Sequence, residues 1–120
     1  MRRVAATFLV LAASLIVVSV ASADRKPTSK EHRQIAKALK FPPRCTRVRV
    51  STVVTSPRWA SLSWKPGRGC KPFAADGVAI LKKKPGAHWK FVTAGSSFDC
   101  GPLYAQVPQA VVQDLGISCI

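Results

Sequence analysis

The chain has 120 residues and a formal net charge of +14, from 19 lysines and arginines against 5 acids. That length holds one small domain and excludes a multidomain assembly on a single chain. So positive a field attracts anions: wall polymers bearing phosphate, anionic lipid headgroups, nucleic acid or an acidic protein.

Residues 1–23 place Arg2 and Arg3 ahead of an apolar run that ends in Ala21-Ser22-Ala23. This is the pattern of a secretory signal peptide cut before Asp24. The run from Val4 to Val20 approaches membrane-spanning length, so an uncleaved anchor is the alternative. The small residues at the cleavage position serve no purpose in an anchor and favour cleavage. No cysteine follows closely enough to be lipidated, and paired arginines without further context favour general secretion over the twin-arginine route. The remaining chain is then read as a basic segment over 24–44 and a disulfide-stabilised β-rich part over 45–120, together one extracytoplasmic domain, expected to be monomeric.

Thr28 followed by Glu31 three residues on, just after Pro27, is a capping box, and it predicts an amphipathic helix over 28–40. His32, Ile35, Ala36 and Leu39 share one face, and Lys30, Arg33, Lys37 and Lys40 the other. Pro42 is expected to end the helix by excluding Phe41 from the helical region. The stretch TRVRVSTVV then alternates, with Val48, Val50, Thr52 and Val54 on one side and Arg47, Arg49 and Ser51 on the other. TSPR turns the chain into a second strand, WASLSW. A Pro- and Gly-rich loop runs to Asp76, and GVAILKK and HWKFVT make the third and fourth strands. Pro85 and Gly86 at the centre of their connection suit a type II turn. GSSFDCG reads as a loop, and VPQAVVQDLGISC as a short helix with Val111, Val112 and Leu115 inward and Gly116 as its stop. The fold class is α+β: an N-terminal amphipathic helix, a four-stranded antiparallel meander, a short C-terminal helix and two disulfides.

Cys45, Cys70, Cys100 and Cys119 show no close C-x-x-C spacing, so disulfides are expected rather than a metal site. A meander brings Cys45, Cys70 and Cys100 to one pole. Cys45–Cys70 with Cys100–Cys119 is the preferred pairing, with Cys45–Cys100 and Cys70–Cys119 geometrically open. The other pole collects the turns and the basic and aromatic residues beside them.

Every lysine and arginine after the signal falls between Arg25 and Lys90, while residues 91–120 carry only Asp99 and Asp114. Arg47, Arg49, Arg58, Trp59, Lys83, Lys84 and Lys90 are therefore the expected binding residues. Trp59 alternates with Ser61 and Ser63 and is placed on the solvated face, while Trp64 and Trp89 are assigned to the core. The reading this supports is a secreted, non-enzymatic basic module that binds an anionic envelope polymer or an acidic partner. A secreted phosphodiester hydrolase using His32 and His88 as acid and base is an alternative, and an inhibitor of another exported protein is another. No phosphate-cradling glycine loop, nucleophile elbow, H-E-x-x-H or calcium loop occurs, so no catalytic residue, metal or cofactor is assigned.

The stretches VRVSTVVTSPRWASL at 48–62, HWKFVTAGSSFDC at 88–100 and VPQAVVQDLGISC at 107–119 resemble a group of small secreted two-disulfide proteins of high-GC Gram-positive bacteria. The resemblance implies an exported, disulfide-stabilised α+β domain, and carries over no catalytic residue.

Overall fold

The structure, a computed structural model, describes residues 24–54, 56–70 and 77–120. The signal peptide expected over 1–23 and part of the loop before Asp76 lie outside the described residues.

Helix α1, Ser29–Ala38, is set up by local chemistry at both ends. The Thr28 hydroxyl accepts the Glu31 N–H at 3.1 Å, and the Glu31 carboxylate accepts the Thr28 N–H at 3.0 Å. Two orphan donors of the first turn are thereby satisfied. At the far end the Lys40 N–H reaches the Lys37 carbonyl and the Phe41 N–H reaches Ala36, with Lys40 itself at φ 59°. These paired bonds form a Schellman ending, with lysine in the left-handed position glycine usually takes. The helix stops at Ala38, before the constraint that Pro42 imposes is felt.

Four strands follow: β1 Thr46–Val50, β2 Arg58–Trp64, β3 Val78–Lys83 and β4 Lys90–Gly95. All pair antiparallel in chain order, the meander that the alternation predicts. Gly86 has φ 72° and the Ala87 N–H donates to the Lys84 carbonyl at 3.0 Å, which closes the β3–β4 turn as the Pro-Gly pair requires. Two strand limits differ from expectation. β4 begins at Lys90 instead of His88, beside a register shift opposite Ile80 and Leu81. β1 ends at Val50, because the Ser51 hydroxyl and the Thr52 N–H donate to the Asp114 carboxylate at 2.7 and 2.8 Å and draw the chain off the sheet. Val54, which alternation turned inward, is fully exposed as a result.

Both faces of the sheet are covered. On one, Val48, Val50, Ala60, Leu62, Ala79 and Leu81 pack with Trp89 against Ile35 and Ala36 of α1. On the other, Trp59 and Ile80 lie beneath Leu103, Val107, Val111, Val112 and Leu115. That second cover is a pair of helices, α2 Cys100–Gln106 and α3 Gln109–Asp114. The sequence predicts α3, including its inward residues and Gly116 at φ 67° as its stop. It does not predict α2, which begins inside the stretch read as a loop. α2 has no side-chain cap, so only Pro102 in its first turn marks its start.

Disulfides join Cys45 to Cys70 and Cys100 to Cys119, with Cα atoms 5.3 and 5.0 Å apart. This is the preferred pairing. The second bridge pins the chain end, where the Cys100 N–H donates to the Ile120 carbonyl and the Ile120 N–H to Phe98. Loops of 25 and 19 residues are closed. In the chain-entropy picture each bridge contributes about 3 kcal/mol. Two such bridges suit an oxidising, extracytoplasmic environment.

Candidate functional site

The sheet divides the expected binding residues between its two edges. Arg47 and Arg49 stand on β1 opposite Ser63 and Ser61, whereas Lys90 stands on β4 opposite Lys82. Those edge strands are separated by β2 and β3, roughly 14 Å at ordinary strand spacing. Arg58 is paired across β2 and β3 with Lys83, and Lys84 begins the turn that follows. The structure therefore gathers Arg58, Lys83 and Lys84 at the turn end of the sheet, turns Lys90 with Lys82 onto the other face, beside Trp59 and Ile80, and leaves Arg47 and Arg49 apart.

Trp59 does not belong to either group. It is 4% exposed and packs in the second core, and its indole N–H is buried without a hydrogen-bond partner among the described residues. Alternation places it with Ser61 as expected, but α2 and α3 cover that face where the sequence reading left it solvated. Trp89 is buried against α1, as assigned, whereas Trp64, assigned to the core as well, is only half-buried at the end of β2, where it packs on Phe41 with ring centroids 4.7 Å apart.

The acids are mostly committed internally. Glu31 accepts both terminal nitrogens of Arg25 at 2.8 Å and lies 3.9 Å from Arg58. Hydrogen bonds from Arg25 hold its carboxyl down to about 2, against the opposing effect of burial, with the Thr28 N–H adding to the lowering. The same hydrogen bond raises the Arg25 guanidinium. Asp24 lies 3.8 Å from Arg49, and Asp114 is bound by Ser51 and Thr52. Lys37, Lys82, Lys83, Lys84 and Lys90 take part in no ion pair among the described residues.

Helix α1 and the β3–β4 hairpin frame a groove of about 480 Å³ on the turn end. Gln34, Lys37, Lys83 and His88 supply its polar lining and Ala38, Ala87 and Trp89 its apolar part, and no acid among the described residues lines it. Sequence reasoning missed Lys37 as a site residue, because its helical spacing marks it only as solvated. What finds it is the crossing of α1 over the hairpin, which has no local sequence signal.

The histidines have separate surroundings. His32 Nε2 lies 2.9 Å from the Thr46 hydroxyl, which itself donates to the Pro43 carbonyl at 2.9 Å. With that hydroxyl proton spent, His32 must be the donor, and its ring is fixed over the start of β1. His88 is exposed in the groove. No hydrogen bond joins the two. Among the described residues no cluster of three or more His, Cys, Asp or Glu is placed to hold a metal ion. None of the described helices is long and apolar enough to cross a membrane. No known protein family, curated protein or solved structure matches the chain.

Proposed function

We propose that the protein is exported and acts as a non-enzymatic module that binds an anionic polymer of the cell envelope through the groove between α1 and the β3–β4 hairpin. The observation that carries this reading is the lining of that groove by Lys37, Lys83, His88 and Gln34 with no acid among the described residues beside them. Beside it, the strand register sets Arg58 directly opposite Lys83 on the α1 face, and among the described residues only the Glu31 carboxylate, 3.9 Å from Arg58, offsets their repulsion. Like charges facing across a sheet destabilise it. A polyanion lying along this end relieves that repulsion, so binding and fold stability are coupled in the same direction. Lysine stems pack well against the apolar wall formed by Ala38, Ala87 and Trp89 while their ammonium groups reach the ligand.

The purified protein, passed over phosphate-bearing wall polymer, a heparin-like resin and immobilised RNA, is expected to be retained at low ionic strength and released steeply as salt rises. RNA stays intact throughout. Salt-insensitive behaviour on every matrix overturns the reading, RNA cleavage replaces it with a hydrolase, and selective capture by an acidic protein reassigns the groove to that partner.

A further inference from the structure

The opposite face of the sheet carries a second depression, of about 320 Å³, beside the closing segment of the chain. Its floor follows the strand register, with Arg49 opposite Ser61, Ser63 opposite Val78, and Val78 opposite Gly95. Ser96 and Ser118 complete the polar lining. Ser61 is 7% exposed as a residue, and its hydroxyl, which makes no hydrogen bond among the described residues, is the part that opens into this depression. The hydroxyls of Ser63, Ser96 and Ser118 are likewise unengaged.

The chemistry of the lining selects the ligand. Hydroxyls both donate and accept, so they match groups that do the same. Arg49 and Asp24 meet loosely at 3.8 Å, which leaves guanidinium donors and carboxylate oxygens open while their charges cancel. An anion in this space faces the Asp24 carboxylate, and an apolar ligand leaves the serines unpaired. Phe98 and Ile117 add an apolar wall suited to the C–H face of a ring. We infer that this depression binds a single neutral saccharide ring, held by Ser61, Ser63, Ser96 and Ser118 and oriented by the Arg49–Asp24 pair. It is independent of the cationic groove, which lies on the α1 side.

The test is an amide NMR titration of the isotope-labelled protein with methyl glycosides of glucose, galactose, mannose and arabinose, at low and high salt. At least one glycoside is expected to shift Ser61, Ser63, Ser96 and Ser118 without moving Lys37 or His88, with no dependence on salt. Replacing Ser61→Ala together with Ser63→Ala is expected to weaken that glycoside about tenfold, the loss of roughly two hydrogen bonds. Should that pair disturb the fold, Ser96→Ala with Ser118→Ala, both at exposed positions, provides the same readout. The inference is overturned if none of the four glycosides shifts these serines, or if a folded double variant binds as well as the parent. Polyanion retention is unaffected in either case, so failure here is distinct from failure of the cationic groove.

Discussion

The two faces of the sheet are covered by helices of opposite character. The α1 side is dressed by one capped helix whose periodicity, capping box and charged outer face are all written locally. The other side is dressed by two short helices without side-chain caps, held by a disulfide and by packing onto Trp59 and Ile80. Helices of six or seven residues are marginal on their own, so tertiary burial has to hold them. The α1 side turns a cationic groove outward, whereas the far side keeps a depression lined with serine hydroxyls.

Trp59→Ala separates the two sides most strongly. A tryptophan buried under α2 and α3 is expected to cost about 3–5 kcal/mol when truncated. At the solvated position read from the sequence, the same change costs only a few tenths. Denaturant unfolding distinguishes the two outcomes. Next in size, Cys100→Ser with Cys119→Ser is expected to cost about 3 kcal/mol. It should also speed exchange of the Trp59 indole N–H while the Ile35 amide in α1 stays protected. Equal loss of protection on both sides would mean that the two covers are not separable.

A smaller effect sharpens the α1 side. Glu31→Gln keeps an oxygen for the Thr28 cap but removes the charge that holds Arg25, an expected loss of about 1 kcal/mol near neutral pH. Because the folded carboxyl sits near 2, below its ordinary value, its contribution is complete above the usual carboxylate range. It is lost as pH falls from there toward 2. Acid titration of stability should show that slope in the parent protein and lack it in the Gln variant.

The same contrast explains what could be read from the sequence. Strand alternation, the Pro85-Gly86 turn, the Val111, Val112 and Leu115 stripe and the pole holding the cysteines are local patterns or follow from a meander. They gave the sheet order and α3, and they favoured the observed disulfide pairing without excluding Cys45–Cys100 and Cys70–Cys119. α2 was hidden because Gly101 and Pro102 look like loop residues and no cap precedes them. A strand face carrying Trp59, Ser61, Ser63, Arg47 and Arg49 looks solvated, while the cover of Trp59 comes from Leu103 to Leu115, too far along the chain for any local pattern to show. The cationic site was legible in Arg58, Lys83 and Lys84 at one end of the sheet, whereas Lys90, expected with them, falls on the other face with Lys82. Lys37 entered it only through the packing of α1.

If the cations on the α1 side act together, charge reversal there and on the far side must have different effects. Affinity for soluble inorganic polyphosphate is measured against salt for the parent, for Lys37→Glu with Lys83→Glu and Lys84→Glu, and for Arg47→Glu with Arg49→Glu. The lysine variant is expected to lose most of its affinity and to flatten the salt slope by about one for each phosphate contact removed, while the arginine variant stays close to the parent. Equal losses from the two variants would contradict that joint action.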